Sequence, residues 1–129
     1  MVLKPKRDGR DRDAVQARVP EQLLAAARCR VPDPTSGAAP GVDGLPSHVW
    51  VAVSREHIYA FAARLDSVGE LLGTWERQET VVQTTPTLTT TRLSLGFRAH
   101  GPRLKLESGR LRISNHRLVR YLLNPNRTT

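Results

Sequence analysis

The sequence has one cysteine, one methionine, and aromatic side chains at only 5% of its 129 residues. A lone thiol, Cys29, excludes an intramolecular disulfide framework and points to a reducing, cytoplasmic setting. Aromatic scarcity counts against a single-strand nucleic-acid binder, which stacks bases on such rings. The longest apolar runs, "LLAAA" and "VWVAV", fall far short of the ~20 residues of a membrane-spanning helix. No apolar stretch follows the charged "MVLKPKRDGRDRD", so no signal peptide is expected. Phosphate loops, dinucleotide fingerprints and nucleophile elbows are all missing. His48, His57, His100 and His116 share no metal-ligand spacing, so neither zinc nor another cofactor is expected. Cys29, within "ARCRV", reads as a small packed hydrophobe, and Glu70, Glu76 and Glu79 read as a solvated face. With no convergent catalytic groups, the expectation is a protein that is not an enzyme.

Acidic residues are scarce in one region, and this absence is the most informative. Residues 92–129 hold nine basic side chains and a single acid, Glu107, whereas residues 1–91 hold eleven of each, so the whole net charge of +8 lies in the last third. Such an excess suits an anionic partner, or merely solvates a surface.

Residues 1–13 read as a charged tail, and 14–129 as one domain. Residues 14–31 are ambiguous: "PEQLLAAARCR" favours a helix by propensity, with Pro20 placed as its first residue, yet Leu23, Ala25, Ala27, Cys29 and Val31 also alternate as in a strand. Residues 32–47 form a long Pro/Gly-rich loop. "HVWVAVSREHIYAFAAR" predicts a hairpin with Val53 opposite Ile58 and Trp50 opposite Phe61. It puts Val49, Val51, Val53, Ile58, Ala60 and Ala62 on a core face. The other face gathers Trp50, Tyr59 and Phe61, either beneath a terminal segment or as a partner-binding surface. "GELLGTWERQETVV" predicts one bent strand or two, with bends at Gly69 and Gly73, and "TLTTTRLSLGF" predicts a strand with Leu93 and Leu95 on one face. "RLKLESGRLRIS" predicts a hairpin turning at Ser108-Gly109, with Leu104 facing Ile113 and Arg103, Lys105, Arg110 and Arg112 together on the other side. A last helix starts at Ser114 and stops before Pro125. Its apolar arc is Leu118, Val119, Leu122 and Leu123, with Arg117 and Arg120 opposite.

Taken together, "VPEQLLAAARCRV", "VWVAVSREHIYAF", "GELLGTWERQETVV", "TRLSLGFRAHGPRLKLES" and "NHRLVRYLL" resemble the strands and closing helix of the small bacterial pleckstrin-homology-like (PH-like) domains, over residues 19–124. The resemblance implies a mainly-β (α+β) fold, a bent β-barrel of about seven strands plugged by a C-terminal α-helix, with residues 22–31 a strand. "GRLRIS" and the 32–47 loop depart from the pattern. PH-like domains are binding or scaffolding modules. The expected function is therefore non-enzymatic recognition of a protein partner or an anionic membrane surface, with the chain cytoplasmic or peripheral to the membrane. The anion-binding residues expected are Arg103, Lys105, Arg110, Arg112, Arg117 and Arg120; the partner-binding residues are Trp50, Tyr59 and Phe61. A small basic barrel that binds nucleic acid is the alternative.

Overall fold

In the computed structural model, which describes residues 12–32, 46–64, 67–96, 103–109 and 113–127, the valine-rich stretch forms the expected hairpin. Strands β2 (His48–Ser54) and β3 (His57–Arg64) pair with Val53 against Ile58 and Trp50 against Phe61. Ser54 sets the turn: its hydroxyl oxygen accepts the His57 backbone N–H at 3.0 Å. Apart from its ends, the predicted 32–47 loop lies outside the described residues, as do Arg110, Arg112 and residues 1–11.

Within the ambiguous segment lies a strand, β1 (Leu23–Arg30), in the middle of the sheet. Its leucine and alanines favour a helix by only fractions of a kcal/mol per residue. Pairing with β2 on one side and β7 on the other, with both faces covered, outweighs that preference. A bulge at Leu24 breaks the simple alternation: Leu23 faces Ser54 and Ala25 faces Val53. Leu23 and Ala26 consequently share the outer face, while Leu24 packs against the inner core.

Strand β4 (Ser67–Glu76) carries two register shifts near Gly69 and Gly73. Gly73 is required by its neighbour, since a Cβ there would lie inside the Trp75 ring. A single 3₁₀ turn (Arg77–Glu79) then leads into β5 (Val81–Pro86), β6 (Thr90–Gly96) and β7 (Arg103–Gly109). The seven antiparallel strands run in the order β4-β3-β2-β1-β7-β6-β5. Among the described residues β4 and β5 remain unpaired edges, so the expected barrel does not close. Its two halves, β1–β4 and β5–β7, join at Arg30 and Glu107. Leu93, Leu95, Leu104 and Leu106 of one half share a core with Ala25, Val49, Val51 and Ile58 of the other. The sheet is thus folded over its own aliphatic face.

The hairpin expected at Ser108-Gly109 is not present. Both residues belong to β7, and Ile113 already begins the helix α2 (Ile113–Leu123). β7 has β6 along one edge and meets β1 at one end of the other, and the chain from Gly109 to Ile113 is too short for an additional strand. Lys105 faces Ser94 across the β6–β7 ladder, and Glu107 bonds Arg30 at 3.3 Å.

Helix α2 fills the concave side with Leu118 and Leu122 fully buried. Its buried stripe also includes Ser114 and Asn115, a position earlier than the leucine pattern implied, and Leu123 is turned out to 46% exposure. Asn115 explains the rotation: its amide donates to the Arg28 carbonyl at 3.1 Å and the Ser108 hydroxyl at 2.8 Å. No described helix is long and apolar enough to cross a membrane.

The open seam between β4 and β5 is tied to the helix by Arg77, only 1% exposed. Its guanidinium donates to the carbonyls of Ser54 (3.2 Å), Tyr121 (2.8 Å) and Asn124 (2.8 Å). Tyr121 lies in the last turn of α2 and Asn124 just beyond it, where the helix dipole favours cations. Gln78 adds a bond to the Pro125 carbonyl at 3.1 Å.

Candidate functional site

Three groups of side chains carry chemistry. The first surrounds Glu21, just before β1. One carboxylate oxygen, Oε1, accepts from Ser54 Oγ (2.7 Å), His57 Nδ1 (2.8 Å) and Tyr59 OH (2.5 Å). A carboxylate only accepts, so His57 carries its proton on Nδ1. Its Nε2 faces Glu76 at 3.5 Å. Burial pushes the Glu21 pKa up, but the three donors outweigh it and hold the carboxyl below its ordinary value. Burial, then the bond to Glu21 and its charge, raise the Tyr59 phenol well above its usual range. The Ser54 hydroxyl points at Glu21 and at its own turn, not at His57 Nε2, so the relay that would activate a nucleophile is not assembled. Glu21, Glu56 and His57 bring ligand-type atoms within 4.8 Å of one another. The hydrogen bond from His57 accounts for its closeness to Glu21, and Glu56 is exposed at the turn beside them. Cys29 is equally occupied: burial pushes its thiol up to about 12, against the lowering pull of a Ser108 hydrogen bond.

The second group is the aromatic face. Trp50, Tyr59 and Phe61 lie side by side as the sequence predicts, but at 9%, 7% and 2% exposure they are buried. Residues 12–22 cover them. A helical turn, α1 (12–16), and the chain after it bring Val15 and Val19 onto the rings. Arg18 stacks over Phe61 with its guanidinium carbon 5.6 Å from the ring centre, and donates to the Val68 carbonyl at 2.7 Å. The terminal segment, the first of the two alternatives open from sequence, is what lies on this face.

The third group is basic. Lys105 alternates with the buried Leu104 and Leu106, so it points to the outer side of β5–β7. It joins Gln83 and Ser94 in one cross-strand row; Thr85, Arg92 and Glu107 form the next. These two rows line a shallow hollow of about 340 Å³ that Pro32 borders. Glu107 is engaged by Arg30 at 3.3 Å and by the Thr90 hydroxyl at 3.2 Å, which leaves Arg92 and Lys105 without an acid among the described residues. Arg117 and Arg120 are exposed on α2, which packs against the opposite, inner side of the same strands. The structure therefore does not bring Lys105 and the helix arginines onto one surface. Arg103 opens β7, with its side chain outside the described residues, as are Arg110 and Arg112 altogether.

Sequence reading missed Arg92 as Lys105's neighbour because it paired β7 forward, with the segment after it, instead of back with β6. It missed Glu21 because the acid lies 33 residues from Ser54 and 36 from His57. Arg77 had no local signal at all, a single arginine between two strands. Neither a known family model nor a curated protein sequence matches the chain.

Proposed function

We propose that this chain is a non-enzymatic, PH-like binding module, working in the cytoplasm, that recognises an acidic segment of a protein partner through the outer face of β5–β7. The carrying observation is the hollow between Arg92 and Lys105. Arg92 and Lys105 line it, and the acid among its lining residues, Glu107, is already engaged by Arg30 and the Thr90 hydroxyl; the amide of Gln83 and the hydroxyl of Thr85 stand beside the two cations. Arginine's planar fork suits a carboxylate, and the neutral groups supply hydrogen bonds that fix its direction. The outer edge of β5, which no described strand pairs, adds main-chain donors and acceptors for an extended peptide over Val82–Pro86. The strand order and closing helix support the PH-like reading, and the occupied Glu21 cluster and buried Cys29 support a binding role over a catalytic one.

A second reading, an anionic membrane surface, rests on Leu88. It is 96% exposed at the β5–β6 tip, four residues before Arg92.

The experiment is a titration of the full chain with a glutamate-rich peptide, with phosphatidylserine vesicles and with a DNA duplex, each at rising salt. The proposal expects peptide binding that weakens with salt and is lost in Arg92→Glu with Lys105→Glu. Arg117→Glu with Arg120→Glu should retain it. Binding only to vesicles, lost in Leu88→Ser, would replace it with the membrane reading, and binding only to duplex with a steep salt slope would replace it with nucleic acid.

A further inference from the structure

The cover on the aromatic face is joined to the sheet by side chains. Its described backbone hydrogen bonds are internal: Ala17 to Asp13, Arg18 to Val15 and Val19 to Gln16. Gln16 folds the segment on itself, donating to the carbonyls of Glu21 (2.7 Å) and Val19 (3.5 Å) while its oxygen accepts the Leu23 N–H at 2.8 Å. No ladder bond joins residues 12–20 to the strands beneath, among the described residues. What holds them there is two valines, Val15 and Val19, the Gln16 bond to Leu23 at the start of β1, and the side chains of Arg18 and Glu21. Beneath them the Trp50 indole N–H is buried, and no acceptor among the described residues reaches it. A buried donor without a partner is an energetic defect, and the cover leaves it uncorrected.

We propose that the outer face of Trp50, Tyr59 and Phe61 is a peptide-docking surface that residues 12–22 hold closed. Its partner is a segment of the same chemistry: two aliphatic side chains four residues apart, followed two residues on by a carboxylate. Val15, Val19 and Glu21 are the intramolecular copy of that pattern. The carboxylate takes the Ser54, His57 and Tyr59 donors, the aliphatic pair covers the rings, and a carbonyl placed over Trp50 satisfies the indole. This surface is separate from the basic hollow, and its failure leaves the reading of the hollow untouched.

Two measurements on the full chain test it. Hydrogen exchange on the unaltered protein should find the Arg18 and Val19 amides opening at least a hundredfold more often than those of β2 and β3. Equal protection in both would make the cover an integral layer and overturn the proposal. A fluorescent peptide of residues 12–22 is then added to the chain carrying Val15→Asp and Val19→Asp. It should bind at least tenfold tighter than to the unaltered chain, and less tightly when the peptide carries Glu21→Gln. Binding that is absent, or no tighter than to the unaltered chain, overturns it. Should the aspartates unfold the chain, Gln16→Ala with Glu21→Gln replaces them under the same outcomes.

Discussion

Replacing Arg77 by methionine removes the one side chain that joins the β2–β3 turn, the β4–β5 seam and the end of α2. The Ser54 carbonyl loses the guanidinium, and the carbonyls of Tyr121 and Asn124 each lose one of two donors, keeping the backbone N–H groups of Asn124 (3.3 Å) and Arg127 (2.9 Å). Ser54 is fully buried, so its orphaned carbonyl costs about 1–3 kcal/mol. The Tyr121 and Asn124 carbonyls lie nearer the surface, where water reaches them, and each costs about 0.5–1 kcal/mol. The Tyr121 ring also loses the guanidinium 5.9 Å from its centre. That contact is worth about 0.5–1 kcal/mol, while relief of the buried charge offsets part of the total. The net expectation is a loss of about 3 kcal/mol, or roughly 10 °C in Tm for a chain of this length. Urea unfolding followed by tryptophan fluorescence measures it, with Trp50 and Trp75 reporting on the outer and inner faces. Arg77→Lys keeps the charge but offers no fork, and should fall between. If Arg77→Met is as stable as the original within about 0.5 kcal/mol, the seam is held by something else and the reasoning fails.

Leu118→Asp puts a charge at a fully buried position of the shared core, and circular dichroism should find the chain unfolded; a cooperative melt would refute the placement of α2. Asn115→Ala removes the buried amide's bonds to the Arg28 carbonyl and the Ser108 hydroxyl, with an expected loss of about 1–2 kcal/mol in denaturant unfolding, and no change would mean those bonds are idle. The Glu21 carboxyl has a folded pKa below its ordinary 4.5, so the folded chain holds that proton more weakly than the unfolded chain does. Its stabilisation is therefore present above about pH 4.5 and drains as the pH falls through the lower folded value. Glu21→Gln should flatten that acid limb in melts across pH, and an unchanged limb would remove Glu21 as its source.

Local pattern reached far into this fold wherever a strand meets its neighbour in sequence. The Val53–Ile58 and Trp50–Phe61 pairs follow from a two-residue turn and strict alternation, and both hold. The pattern failed where a distant partner decides. β1 is a strand because β2 and β7 flank it, which no helix-propensity sum contains. The hairpin at Ser108-Gly109 had good turn chemistry, but β7 pairs with β6 through Gly109, and the chain from there to Ile113 is too short for an additional strand. The leucines of α2 set the stripe only approximately, since Asn115 has its own partners in β1 and β7 and turns the helix toward them. The basic excess was plain from Arg92 onward, yet its division between two sides of the sheet needed the β6–β7 register. Arg77 and Glu21 gather groups from far along the chain, and their roles were not legible in any local stretch.

The central claim is that the hollow between Arg92 and Lys105 receives an acidic segment. Backbone amide shifts of the full chain, followed while a glutamate-rich peptide is added at low salt, test it most directly. The account predicts that the largest changes cluster at Gln83, Thr85, Arg92, Ser94 and Lys105 and vanish in Arg92→Glu with Lys105→Glu. Changes concentrated instead around Arg117 and Arg120, or spread evenly over all basic residues, would contradict it.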